Sequence, residues 1–256
     1  MRIVLFILFA FFISCQKQKG ISKPETSIQE KTKLIAARTT DKLLKTDTVF
    51  VYDSGELNPN FFVLAHLLDK KMDKDSLLTM SYRLDFYIDK KQIASSRIII
   101  PNYTNGSEWS GSLGLSDATS KQSPFVTIRL GYPACGYAQQ NFLFFIKKEK
   151  LQLVHQWESV FDSGWGSWVE IHNPEETAEP QSFYCKTVSF EPSDDATEEE
   201  EKGILSYSDS TVFRLKNNQW RKQLITTKNL PYFKKEMTFN EYHKNEQVFH
   251  ICMFGG

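Results

Sequence analysis

The chain has 256 residues, enough for one large domain or two small ones, and its 31 basic groups are balanced by 31 acidic ones. A chain with no net charge has no general electrostatic attraction for nucleic acid, and none is expected as a partner. Aromatic residues make up 14%, with 20 Phe and 10 Tyr, which favours a β-rich body over a helical bundle or a disordered chain.

The N-terminus sets the expected location. Met1-Arg2 is a short positive start, Ile3 to Ile13 is unbroken apolar sequence, and Gln16 to Gly20 is polar again. An apolar run of this length is the size of a signal peptide and too short to span a bilayer. A small residue directly before a cysteine, in Phe12-Ile13-Ser14-Cys15, resembles a bacterial lipobox, with Phe12 where leucine is usual. That resemblance implies a signal peptide over residues 1–14 and lipidation, palmitate included, at Cys15. Each buried CH2 of an acyl chain contributes about 0.8 kcal/mol, so several chains hold firmly where one does not. Removing residues 1–14 deletes only one charge, Arg2, so no polybasic second anchor remains.

Lys-, Gln-, Thr- and Ser-rich sequence follows to about residue 45, the composition of a tether. The expected domains are therefore the leader (1–14), a lipidated cysteine with its tether (15–45), and one mainly-β body (46–256). Asp47 to Tyr52 reads as the first strand, and Asn58-Pro59-Asn60 as a turn. Phe61 to Leu68 is apolar throughout and too short for periodicity to choose strand or helix. Tyr82, Leu84, Phe86 and Ile88 share one strand face, Asp89 to Gln92 turns the chain, and Ile93 to Ile100 returns. Around Trp109 a long loop holds one short strand.

The stretch from Phe125 to Trp168 carries the clearest strand patterns. Phe125 to Tyr132 alternates with period two until Pro133 stops it. Phe142 to Ile146 is continuous apolar sequence, Lys147 to Lys150 is a polar connector, and Leu151 to Trp157 returns. Ser182 to Phe190 is a further strand, and Thr211 to Leu215 pairs with Trp220 to Thr226 across Lys216 to Gln219. Three hairpins thus share one format: strand, four polar residues, strand. The fold class read from this is mainly β, an antiparallel sandwich or irregularly stacked β-hairpins, with a propeller-like β-repeat as the alternative. Residues 230–256 are less patterned, with a closing strand at 248–254.

Chemistry is sparse. Beyond Cys15 there are Cys135, Cys185 and Cys252, so three pairings are open for one disulfide. Cys135–Cys185 is favoured, because both lie in or beside strands and Cys252 is near a terminus. Against it stands Cys135 as a nucleophile with His155 as base, for which no positive charge lies nearby in sequence. His243 and His250 read as surface residues. No metal site or cofactor is expected: there is no CxxC, no helical His pair, no calcium-loop pattern at 193–201 and no GxxxxGK[ST], GxGxxG or GxSxG. Trp157, Trp165 and Trp168 offer a candidate ligand platform, set against simple packing. Glu158, Asp162 and Glu170 beside them are the carboxylates to consider for glycoside chemistry.

LGYPACGY, followed by FLFFIKKEKLQLVHQWESVFDSGWG, together with the leader and tether, resembles uncharacterised lipoproteins of Bacteroidota bacteria. The resemblance covers the leader and about residues 80–225, and it transfers no catalytic residue. It implies a bacterial envelope protein anchored to a membrane through its lipid, and the basic and polar rather than acidic residues after Cys15 lean toward the outer membrane, facing the periplasm. The expected role is a binding or structural module for an envelope protein or glycan. The alternative is an envelope hydrolase using Cys135 or the carboxylates near Trp165.

Overall fold

The structure is a computed structural model, and it describes residues 41–194 and 201–245. The leader, Cys15, Cys252, His250, the closing strand at 248–254 and most of the acidic segment lie outside the described residues. Thirteen strands run in chain order: β1 (Lys45–Asp53), β2 (Glu56–Met72), β3 (Leu78–Ile88), β4 (Lys91–Ile100), β5 (Glu108–Leu113), β6 (Phe125–Gly131), β7 (Ala138–Lys147), β8 (Lys150–Asp162), β9 (Trp165–His172), β10 (Ser182–Pro192), β11 (Lys202–Lys216), β12 (Gln219–Leu224) and β13 (Phe233–Thr238). One short helix, α1 (Phe239–Asn245), follows.

All thirteen strands belong to one sheet, ordered β12-β11-β10-β9-β8-β7-β6-β5-β1-β2-β3-β4, with β13 paired to β11. Among the described residues every pairing is antiparallel except β1 with β5, a short parallel contact at Val51–Gly111 and Tyr52–Ser112. A Cβ on Gly111 would meet the Val51 side chain and the Phe50 carbonyl, so glycine allows that approach. The chain is mainly β and built from stacked hairpins, as the alternation indicates. The strands form one continuous mixed sheet, not closed into a barrel, rather than repeated blades.

Local chemistry explains the hairpins. Asp89–Lys90, Lys148–Glu149 and Asn217–Asn218 each place two successive residues at positive φ, as do Ser54–Gly55 and Ser163–Gly164. Two central residues of positive φ are the requirement of the type I′ turn, whose twist matches that of the flanking strands. The four-residue polar connectors of the sequence therefore tighten to two. Asn58-Pro59-Asn60 makes no turn: β2 continues through it, and the β1–β2 register slips there, between Phe50–Phe62 and Tyr52–Leu57. Proline is accommodated where the ladder is already interrupted.

The middle strands are buried on both faces. Val126, Ile128, Leu130, Phe142 and Phe144 pack with the inward residues of β1–β4. Phe125, Leu143 and Phe145 point the other way, against Phe183, Phe213 and Trp220. Period two therefore sends alternate side chains into two cores, and double-sided burial makes Phe142 to Ile146 apolar throughout. A third cluster joins Trp168, Val188, Phe190 and Leu205 to Tyr242 of α1.

Candidate functional site

Because one face of β1–β4 fills the first core, its other face points outward, and the register sets that face in rows. Thr46, His66, Arg83 and Arg97 stand opposite one another across the four strands. Thr48, Leu64, Asp85 and Ser95 form the next row, and Phe50, Phe62 and Tyr87 the one after.

The first two rows interlock. Arg83 donates to both oxygens of Asp85, from Nε and from Nη2, at 3.1 Å each. Ser95 Oγ donates to the same carboxylate at 2.5 Å, and His66 Nε2 lies 3.1 Å from it. Thr46 Oγ1 and His66 Nδ1 are 2.8 Å apart. His66 is 7% and Asp85 4% exposed, so the carboxylate is desolvated but surrounded by donors, the condition under which a buried charge is tolerated. Hydroxyl, imidazole and carboxylate follow one another as in a proton relay. Together with Arg83 and Ser95, which also hold Asp85, this chain of contacts knits four strands.

Arg83 reaches further. Its Nη1 donates to Asp41 at 3.1 Å, and Arg97 Nη2 donates to the two Asp41 oxygens at 3.0 and 2.9 Å. Asp41, placed by composition in the tether, is thus docked on the sheet, and Leu44 N–H donates to Leu67 O beside it.

The third row is apolar and open. Phe50, Tyr52 and Leu57 are 54%, 42% and 50% exposed. Phe62 stacks on Tyr87 with centroids 4.9 Å apart. Phe50, Leu57, Pro59 and Phe62, with Thr48 and Asn58, line a groove of about 360 Å³. Isolated exposed apolar residues are ordinary, whereas these stand together on one sheet face.

The residues singled out from sequence go elsewhere. Trp168 is buried against Phe161 and α1, and Trp165 stacks on Phe190 at 4.5 Å, over Gly203, where any Cβ would collide with it. Trp157 stacks on His155 beside the second core. The three rings are packing elements in two different clusters and form no shared platform. His243 is also no free surface residue, since its ring lies 4.2 Å from that of Phe239.

Cys185 is a free, buried thiol facing the second core, so the Cys135–Cys185 disulfide is not formed. Cys185 is paired with Ile171 in the ladder, whereas the Cys135 loop bonds to the end of β8 through Gly136 N–H and Phe161 O. Phe161 is paired with Gly166, five residues before Ile171, so the two cysteines are offset by roughly 17 Å along the strands, against about 6 Å between the Cα atoms of a disulfide. Cys135 has no histidine base in His155 either. His155 pairs with Leu143 and packs on Phe213, six residues or roughly 20 Å from Phe161.

Asp162 is separated from the other two carboxylates. Glu158 accepts a hydrogen bond from Gln140, Asp162 lies beside Gly136, and Glu170 pairs with Lys186 at 2.8 Å. Asp162 is four residues from Glu158 on one strand, roughly 13 Å, and its ladder partner Trp165 is five residues from Glu170, roughly 16 Å. Both separations exceed the ~5–9.5 Å that glycosidic bond hydrolysis uses. Among the described residues no group of three His, Cys, Asp or Glu is placed to hold a metal ion. No helix of the described residues is long and apolar enough to cross a membrane. No family model, curated protein or solved structure matches the chain.

Proposed function

We propose that the chain is a lipid-anchored protein of the bacterial envelope whose β domain binds a protein partner through the outward face of β1–β4. The leader and the Ser14-Cys15 step support the anchor. One observation carries the binding role: Phe50, Tyr52 and Leu57 stand exposed beside the groove on a sheet face whose other side is core. Exposed aromatic anchors next to a polar network have the composition of an interface centre and its rim.

A protein fits the groove better than a glycan. Its walls are Phe50, Leu57, Pro59 and Phe62, and Asn58 Oδ1 is already occupied by the N–H groups of Asn60 and Phe61. A sugar needs hydrogen-bonding groups around its ring, whereas an apolar side chain needs only the walls.

The test is a photocrosslinking residue at Leu57 in native membranes, with Lys222 on β12 as control. A discrete adduct from position 57 alone, together with loss of membrane retention in Cys15→Ala, is the expected result. The same adduct from both positions, or none, removes the binding role. Retention of Cys15→Ala in the membrane removes the anchor.

A further inference from the structure

Asp41 occupies a site that is chemically a carboxylate receptor. Two guanidinium groups from neighbouring strands, Arg83 on β3 and Arg97 on β4, converge on its two oxygens. Arg83 is held rigid by its paired bonds to Asp85, and the Arg97 side chain remains 61% exposed, so one wall is fixed and the other faces solvent. Guanidinium groups are the side chains best shaped for planar carboxylates.

We propose that Arg83 and Arg97 read an acidic residue of the protein partner, and that Asp41 is a tethered competitor filling the site in the free chain. This rests on the assignment of the β1–β4 face as the binding surface and specifies what binds there. The arginine row and the Phe50–Phe62–Tyr87 row are four residues apart along the strands, Arg83 to Tyr87 and His66 to Phe62, or roughly 13 Å at strand rise. An extended segment covers that distance in about four residues. The partner segment is therefore extended, with Asp or Glu about four residues from a large apolar side chain that enters the groove. Asp41, joined to β1 by a few residues, competes at an effective concentration on the order of millimolar. That is enough to exclude a lone carboxylate, but not a ligand also anchored in the groove.

The experiment uses the full chain in detergent micelles on an array of nine-residue peptides in a Ser/Gly host. Each peptide carries one Phe and one Asp, spaced one, four or seven residues apart, with Asp→Asn copies as controls. The expected result is strongest retention at spacing four, lost in the Asn copies. Retention rises about tenfold for Asp41→Asn, which removes the competitor, and Arg97→Gln abolishes the dependence on Asp. Retention indifferent to spacing or to Asp, or unchanged in Asp41→Asn, overturns the proposal. If peptides bind through Phe alone and are lost with Leu57→Ser, the clamp fails while the binding face stands. If no peptide is retained, the clamp is overturned and the crosslink from position 57 judges the face separately. Unfolding midpoints of each variant separate these outcomes from a folding defect.

Discussion

The side chain of Gln152 bonds to the main chain of Trp220 in both directions, Nε2 to the carbonyl and Oε1 from the N–H, each at 2.8 Å. The two residues are 68 positions apart. Because β12 ends the path of the sheet, its outer edge has no strand partner among the described residues, and the amide of Gln152 on β8 acts as a one-residue strand. Gln152→Leu leaves both groups of Trp220 unsatisfied beside the second core. The expected loss is about 2 kcal/mol of unfolding free energy in urea titration.

Asp85 and Arg97 separate buried from exposed charge in one network. Asp85→Ala removes the buried acceptor shared by Arg83 Nε and Nη2 and His66 Nε2, and is expected to cost about 3 kcal/mol. Arg97→Gln, at an exposed pair, is expected to cost under about 1 kcal/mol. Equal effects on the urea midpoint would mean that the network is solvated throughout.

His155 gives stability a pH dependence. Burial, and then the positive charge of Lys222, push its pKa down to about 4, and its Nδ1 is buried without a hydrogen-bond partner. The unfolded chain takes a proton near pH 6.5 that the folded chain refuses until about pH 4. Stability from this group is therefore intact above pH 6.5, falls as pH drops below it, and levels near pH 4, a change of about 3 kcal/mol. His155→Phe keeps the packing on Trp157 and Phe213 and should flatten the stability profile between those limits.

Cys185 should behave as an apolar core residue. Burial pushes its thiol pKa far up, which suppresses the reactive thiolate. Iodoacetamide should leave it unmodified in the native chain and modify it once urea unfolds the protein. Alkylation of Cys185 under native conditions would contradict its place in the second core.

The hairpins were legible because their turns are local. Asp89–Lys90 and Asn217–Asn218 announce a reversal by composition, and the alternation of Tyr82, Leu84 and Phe86 needs no partner to be recognised. The double burial of Phe142 to Ile146 was visible as a continuous apolar run, but not what covered each side. The outward face of β1–β4 was invisible for a related reason. Arg83 and Asp85 flank Leu84 as ordinary solvent-side residues, and nothing in the sequence says that register sets His66, Ser95 and Thr46 around them. The tryptophans misled because exposed and buried rings look alike in sequence, and only Gly203, 38 positions from Trp165, shows that the ring is packed. Cys185 misled similarly, since a strand cysteine suits a disulfide and a core equally well.

The most direct measurement is hydroxyl-radical footprinting of the chain in native membranes and as purified protein, with modification read residue by residue. The account predicts that Phe50, Tyr52 and Leu57 are labelled in the purified chain and protected in the membrane, while Tyr137 and Tyr184, also exposed, are labelled equally in both. Equal labelling of Phe50, Tyr52 and Leu57 in the two preparations would contradict it, because the outward face of β1–β4 would then have no partner where the protein works.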